Sequence, residues 1–125
     1  MLKKNKTVCI TGAGNGIGRA ISIAMGNEGY NVVCADINSD HANETLNIIK
    51  KNDGLGIVIK TDVTNLLDIK EMVSNTIDSF GSIDVLVNNA GVTRTSGIMD
   101  LTEEDWHWIN NVNAKGTFFC LQETA

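Results

Sequence analysis

The 125-residue sequence contains no proline, only one tyrosine, and no excess of basic residues. Without proline, glycine and asparagine must mark the ends of its helices and strands. No apolar run is long enough to cross a membrane, and none precedes the first strand as a signal peptide would require. The net charge of -5, with no basic stripe, argues against nucleic acid or an anionic membrane as partner. We expect one cytoplasmic domain over residues 1–125.

Cysteine and histidine are scarce as well. Cys9, Cys34 and Cys120 are odd in number and widely spaced, which favours buried reduced thiols over a disulfide framework. His41 and His107 have no Cys, Asp or Glu at ligand spacing, so both are expected at the surface. No metal site is predicted.

The most informative stretch covers residues 7–19, TVCITGAGNGIGR. A short β-branched apolar run predicts a buried strand, and a helical pattern begins at Ile17 after several glycines. Backbone N–H groups in such a turn can approach a diphosphate closely, and the helix dipole adds about 0.3–2 kcal/mol for an anion there. A glycine-rich turn can also be no more than a tight connection.

The spacing of these glycines decides which phosphate motif they fit. In the common dinucleotide pattern G-x-G-x-x-G the third glycine would fall on Ile17 or Arg19, and the Walker pattern fails because no lysine follows. The pattern T-G-x-x-x-G-x-G fits, with Thr11 followed by Gly12, Gly16 and Gly18.

The second predicted strand, residues 31–36, ends in Asp36 and completes a strand–helix–strand unit. Dinucleotide folds place a carboxylate there for the adenosine ribose. Asp36 would repel a 2′-phosphate by roughly 4 kcal/mol per unit charge at about 4 Å and an effective dielectric near 20. Neither Ile37 nor Asn15 is the Arg or Lys that would reverse this preference, so NAD is favoured over NADP. Alternatively, Asp36 caps a helix that begins near residues 38–40.

Further elements follow in a regular alternation. Helices are predicted over residues 17–28, 40–52, 65–80 and from 102 to the end, and strands over 8–10, 31–36, 56–60 and 85–87. Thr102 and Asp105 have capping-box character, and Trp106 and Trp108 are expected to pack. Residues 93–101 form a predicted loop near the ligand edge.

Polar residues follow the third and fourth predicted strands. Asp62 could accept a hydrogen bond from the adenine amino group while Val63 contributes backbone, or Asp62 could serve a turn. The sequence NNAG over residues 88–91 is suited to hold a sugar or to bridge strands, and amides in a plain turn are the alternative.

These motifs, together with VNAKG over residues 112–116, resemble the classical short-chain dehydrogenases/reductases in order and approximate spacing. The resemblance implies an α/β fold of Rossmann type, a doubly wound parallel sheet with strand order 3-2-1-4. It implies NAD(P)-dependent hydride transfer between a secondary alcohol and a ketone, with NAD preferred. The implied cofactor-binding residues are Gly12, Asn15, Gly16, Ile17, Gly18, Asp36, Asp62, Val63, Asn89, Ala90 and Gly91. Asn113 would mark a helix kink and hold a water in the proton relay; alternatively, it is only a polar residue that kinks the helix.

The family's chemistry also needs a serine and a Y-x-x-x-K pair. The only tyrosine is Tyr30, and the residue four positions later is Cys34. We therefore expect the chain to be the amino-terminal, cofactor-binding half of a longer enzyme, with an incomplete sheet and no activity of its own. The resemblance implies a small-molecule substrate and a homodimer or homotetramer for the full-length protein. The competing hypothesis is a non-catalytic module that binds or senses NAD.

Overall fold

The computed structural model describes residues 5–125; residues 1–4, which precede the first predicted strand, lie outside the described part. Four strands alternate with helices. The strands are β1 (Thr7–Thr11), β2 (Asn31–Asp36), β3 (Leu55–Lys60) and β4 (Val85–Val87). The helices are α1 (Gly16–Asn27), α2 (Ser39–Lys51), α3 (Leu66–Phe80), α4 (Glu103–Asn110) and α5 (Thr117–Thr124), and a π-helical segment, here called the π turn (Asn111–Gly116), joins α4 to α5.

The four strands form one parallel sheet in the order β3-β2-β1-β4, as the resemblance implied. In the register, Cys9 of β1 lies beside Val33 of β2 and beside Leu86 of β4. All five residues of β1 are buried. Strands that are buried along their whole length are typical of parallel sheets covered on both faces.

Helices cover both faces of the sheet. On one face, α1 and α2 pack on Val8 and Ile10 of β1; on the other, α3 and α5 pack on Cys9 and on Val33 of β2. The alternation of side chains along β1 divides its residues between the two cores. Burying a side chain such as Ile10 completely contributes about 1.5–3 kcal/mol.

The three cysteines are free thiols inside these cores, as predicted. Burial raises the pKa of the Cys9 thiol to about 12, and it raises the pKa values of Cys34 and Cys120 to about 11. Because the thiolate is the reactive form, these thiols are inert at neutral pH.

Asparagine, glycine and threonine mark the helix ends, as expected for a chain without proline. Asn65 caps α3 through its side chain, and Gly81 ends that helix in the left-handed conformation, with φ 82°. Thr102 and Asp105 form a reciprocal capping box at the start of α4. Among the described residues, no helix combines the length and apolar character needed to span a membrane.

The predicted last helix is present from Glu103 to Thr124, and the π turn lies within it, between α4 and α5. The expectation that Trp106 and Trp108 pack in the interior was wrong: they are 59% and 39% exposed, and α4 buries none of its residues. The guanidinium of Arg94 lies over the Trp108 ring, 5.1 Å from its centre. The capping box stabilises the start of α4, but none of the helix's residues is buried.

Candidate functional site

A cleft of about 420 Å³ opens at the carboxyl ends of the strands. It lies where β1 and β4 are neighbours and the chain order of the sheet reverses, which is where open α/β sheets bind ligands. Its lining residues are Gly12, Asn15, Asp36, Ile37, Thr61, Asp62, Val63, Thr64, Asn89, Ala90, Gly91, Val92, Trp108 and Val112.

At Gly12 and Gly18, the glycine turn after β1 has no room for a side chain. Gly12 has φ +67°, and a Cβ there would lie 2.9 Å from Nδ2 of Asn89. A Cβ on Gly18 would overlap the carbonyl oxygen of Gly12. Asn15 is the N-cap residue of α1 but its side chain makes no capping bond, and no other side chain within residues 5–125 accepts from the first N–H groups of the helix. Such a helix terminus is suited to bind an anion.

The middle of the turn is bonded to β2, to α2 and to Arg19 of α1. Ala13 donates its N–H to the carbonyl of Ala35 over 3.1 Å, and its own carbonyl accepts from Oγ1 of Thr45 over 2.8 Å. The carbonyl of Gly14 accepts from Nη2 of Arg19 over 2.6 Å. These bonds fix the turn, and the N–H groups at the start of α1 take no part in them.

Asp36 ends β2 beside this turn. Its Oδ2 accepts the N–H of Gly14 over 2.8 Å, and its Oδ1 accepts the N–H of Asn38 over 2.9 Å. Each carboxylate oxygen can accept a second hydrogen bond, which leaves one position on each for a pair of hydroxyls. Asp36 does not cap α2: the cap is Asn38, whose side chain accepts from the N–H of His41.

The residues after β4 are tied to the end of β1. Oγ1 of Thr11 accepts the N–H groups of Asn89 and Ala90 over 3.2 and 3.0 Å, and Nδ2 of Asn89 donates to the carbonyl of Gly12 over 3.1 Å. These bonds confirm that the residues after β4 bridge β1 and β4, one of the roles predicted for the NNAG sequence. Thr11 was part of the predicted motif, but its role as the acceptor in this bridge was not foreseen.

Asp62 and Val63 follow β3 at the same edge. Oδ1 of Asp62 accepts from the N–H and the hydroxyl of Thr64 over 2.9 and 2.7 Å. Asp62 therefore stabilises the turn after β3, as one of the two interpretations of this residue predicted. The side chain of Val63 is buried and packs on the π turn, where a Cβ on Gly116 would come within 2.8 Å of Cγ2 of Val63. Both residues also line the cleft.

Asn113, in the π turn, is joined to the loop after β4. Its Oδ1 accepts the N–H of Val92 and its Nδ2 donates to the carbonyl of Val92, both over 2.8 Å. Its main-chain carbonyl accepts from Oγ1 of Thr117 over 2.8 Å. A π turn coincides with the position where the resemblance placed a kink, and such turns are frequent at functional sites.

Most of the predicted site residues meet in this cleft. Gly16, Ile17, Gly18 and Asn113 are not among its lining residues. Ile17 is 73% exposed at the start of α1, and Gly18 is buried under the turn. Trp108 and Val112 line the cleft without having been predicted, because their helical spacing indicated packing instead.

Tyr30 lies away from this cleft. It lines a second cleft, of about 460 Å³, formed by the residues just before β2 and β3 at the amino ends of the strands. Within residues 5–125, no group of three or more His, Cys, Asp or Glu side chains is placed to hold a metal ion. His41 and His107 are exposed, as predicted.

Curated proteins align with this sequence over nearly its whole length. The chain is 38% identical over 122 residues to the 3-oxoacyl-(acyl-carrier-protein) reductase FabG of Staphylococcus epidermidis, with 97% of this chain and 50% of the relative covered. It is 36% identical over 121 residues to a diacetyl reductase, (S)-acetoin forming, of the same species, covering 97% of this chain and 47% of the relative. The chain spans about half the length of the curated relatives it matches.

Solved structures give the same result. A hydroxysteroid dehydrogenase from Escherichia coli superposes with a TM-score of 0.92 at 31% identity, covering 98% of this chain and 52% of that one. A short-chain type dehydrogenase/reductase from Mycobacterium marinum gives a TM-score of 0.94 at 29% identity, covering 98% and 49%. The short chain dehydrogenase family model matches residues 6–125. With this match, the parallel sheet and the glycine turn that ends β1, the chain belongs to the short-chain dehydrogenase family of oxidoreductases.

Proposed function

We propose that this chain is the cofactor-binding half of an oxidoreductase that transfers hydride between a nicotinamide dinucleotide, preferably NAD, and a secondary alcohol or ketone. The observation that carries the proposal is the bond between the two halves of the candidate adenosine site. The N–H of Gly14, in the turn that would hold the diphosphate, donates to the carboxylate of Asp36, which would hold the ribose.

The residues fit such a cofactor from one end to the other. The N–H groups at Gly16, Ile17 and Gly18 would bind the diphosphate, next to Gly12 and Asn15. Asp62 and Val63 would lie against the adenine, and Asn89, Ala90 and Gly91 along the nicotinamide half. The bound nicotinamide supplies the hydride donor or acceptor; the chain holds it at the carboxyl edge of the sheet.

The preference for NAD depends on Asp36. Its two backbone bonds leave it able to accept from both ribose hydroxyls. A 2′-phosphate in the same place would meet like charge, at a cost of roughly 4 kcal/mol per unit charge at about 4 Å and an effective dielectric near 20.

Asn113 would contribute to the proton relay through its main chain. Both polar groups of its side chain are already bonded to Val92. Its carbonyl accepts from Thr117, and a carbonyl oxygen has a second lone pair that could accept from a water.

The substrate would be a small carbonyl compound or alcohol. The relatives named above are a 3-oxoacyl reductase and a diacetyl reductase, so both names describe the reduction of a ketone. The full-length protein would be a homodimer or homotetramer. Exposed apolar residues on α4 and α5 support self-association, among them Trp106, Phe118 and Leu121.

A second candidate function is a module that binds NAD without turning over a substrate. The observation in its favour is the position of Tyr30, the only tyrosine, at the opposite edge of the sheet from the candidate site. The residues of 1–125 would then bind cofactor but offer no tyrosine as proton donor.

The two candidates separate in a paired experiment. The 125-residue chain is titrated with NADH by calorimetry, and the reading frame beyond codon 125 is determined and its product assayed with NADH and 2,3-butanedione. Binding, a downstream Y-x-x-x-K and turnover by the longer product support the oxidoreductase. Binding without such a motif or turnover supports the module. A chain that is folded and does not bind NADH contradicts both.

A further inference from the structure

Arg19 and Asp36 both bond to the backbone of Gly14, Arg19 to its carbonyl and Asp36 to its N–H. The carbonyl of Gly14 accepts from Nη2 of Arg19 over 2.6 Å, and the N–H of the same glycine donates to Oδ2 of Asp36 over 2.8 Å. A side chain on Gly14 would meet both Asp36 and His41 at 2.8 Å, so these groups are closely packed. The predicted preference for NAD assumed that no Arg or Lys lies at position 15 or 37. Arg19, on α1, brings a guanidinium to Gly14 from a different position.

This guanidinium is held by α2. Its Nε donates to Oγ1 of Thr45 over 3.0 Å, and its Nη2 donates to the carbonyl of His41 over 3.2 Å. Thr45 is fully buried, and its hydroxyl donates to the carbonyl of Ala13, which fixes its position. These neutral contacts orient Arg19 and leave its charge in place.

Glu44 is the group that offsets the charge. Its Oε2 lies 2.8 Å from Nη2 of Arg19, with the two side chains 61% and 29% exposed. The hydrogen bond from Arg19 lowers the pKa of Glu44, so its carboxylate is ionised at neutral pH. The group around Gly14 therefore contains two carboxylates, Asp36 and Glu44, against one guanidinium.

We propose that Glu44 determines cofactor specificity: by pairing with Arg19 it withholds that guanidinium from a 2′-phosphate beside Asp36. The inference rests on the proposed function, which puts the adenosine ribose at Asp36. Arginine is the residue that accommodates the 2′-phosphate in NADP-binding folds of this type. If Glu44 is replaced by a neutral residue, Arg19 keeps its hydrogen bonds to Thr45, Gly14 and His41. Its positive charge is then no longer paired and can attract that phosphate.

The test is Glu44→Gln, measured as dissociation constants for NADH and NADPH by calorimetry. We expect the affinity for NADPH to rise about tenfold, the effect of one charge-assisted hydrogen bond, while that for NADH changes by less than about threefold. Glu71→Gln is the matched control, because Glu71 is exposed on α3, on the other face of the sheet, and its loss changes the net charge equally. It should leave the NADPH/NADH affinity ratio unchanged.

Two further variants separate specificity from bracing between α1 and α2. Glu44→Asp retains the charge, so its ratio should stay within about twofold of the unsubstituted chain. In an Arg19→Met background, Glu44→Gln should no longer raise the affinity for NADPH. This second result requires that the gain act through Arg19.

The results distinguish an incorrect role for Glu44 from an incorrect proposed function. If the unsubstituted chain binds NADH and Glu44→Gln weakens both cofactors equally, leaves their ratio unchanged or unfolds the chain, the pair is a brace and this inference is overturned. If Glu44→Asp shifts the ratio as far as Glu44→Gln, charge is not the cause and the inference is also overturned. If the unsubstituted chain is folded and binds neither cofactor, the proposed function itself fails.

Discussion

The main-chain N–H of Gly14, in the turn after β1, donates a 2.8 Å hydrogen bond to Oδ2 of Asp36 at the end of β2. This bond joins the segment proposed to hold the diphosphate to the residue proposed to hold the ribose. It also explains why position 14 has no side chain, since a Cβ there would lie 2.8 Å from the same oxygen. The two parts of the candidate site therefore form one unit.

The first prediction concerns the preference of this site for NADH over NADPH. The double substitution Asp36→Ala with Ile37→Arg replaces the carboxylate by a neighbouring cation at a position that is 61% exposed. We expect the affinity ratio to move from NADH towards NADPH by at least about tenfold, because the repulsion of a 2′-phosphate is removed. Calorimetric titration measures both constants.

The control for that experiment is Asp78→Ala, which removes one exposed carboxylate on α3 and should not change the ratio. Equal ratios in the double variant and the control would show that Asp36 does not face the ribose.

The second prediction concerns the packing of the glycine turn. Gly18→Ala puts a methyl group into the carbonyl oxygen of Gly12. We expect a loss of stability of roughly 1–3 kcal/mol and no measurable NADH binding, because the turn must open to admit the methyl group. Urea unfolding and NADH titration measure the two effects.

Gly97→Ala is the comparison for this variant. The nearest atom to its new methyl group is a carboxylate oxygen of Asp100, at 3.2 Å, which can move aside. If Gly18→Ala binds NADH as well as Gly97→Ala does, the turn is not the diphosphate site.

The third prediction tests the link between the π turn and the loop after β4. Asn113→Ala removes both 2.8 Å hydrogen bonds to Val92 and should cost about 1–2 kcal/mol in the free energy of unfolding. Asn110→Ala, which removes only a bond to the carbonyl of Trp106 one turn earlier in the same helix, should cost less. The opposite order in urea unfolding would show that the link to Val92 does not hold the loop.

The fourth prediction concerns acid stability. Hydrogen bonds from the N–H of Thr7 and the hydroxyl of Ser82 lower the pKa of Asp84 from its usual value of 3.8. Because the pKa is lower in the folded state, the ionised carboxylate stabilises the fold above pH 3.8, and this contribution is lost as the pH falls through the folded-state pKa. Asp84→Asn should therefore be less stable than the unsubstituted chain at pH 7.

The difference between these two chains should shrink as the pH falls below 3.8. Urea unfolding of both, from pH 7 to pH 3, measures it, with Asp78→Asn as a control. A difference that stays constant over this range would exclude ionisation of Asp84 as its cause.

Features coded by neighbouring residues were predictable from the sequence. The order of strands and helices, the cap at Thr102 and Asp105, and the end of α3 at Gly81 each depend on residues close in the chain. The carboxyl-edge position of Asp36 and Asn89 follows once the strands are assigned as parallel, because parallel strands end at the same edge.

Features that depend on distant partners were not predictable. The spacing of Arg19 marks it only as a helix residue, and its partners Thr45 and Glu44 come from a different helix. The π turn places Gly116 against Val63 of a distant segment, a contact that helical periodicity does not encode. Trp106 has a core-like side chain, but within residues 5–125 α4 buries none of its residues, and Trp106 is exposed.

The central claim is that the main-chain N–H groups at the start of α1 bind a diphosphate whose adenosine ribose reaches Asp36. The most direct test is a ¹H–¹⁵N NMR titration of the 125-residue chain with NADH, which reports on each backbone amide separately. We predict saturable shifts that are largest at Gly16, Ile17, Gly18 and Asp36. Shifts confined to the cleft around Tyr30, or no saturable shifts in a folded chain, would contradict the claim.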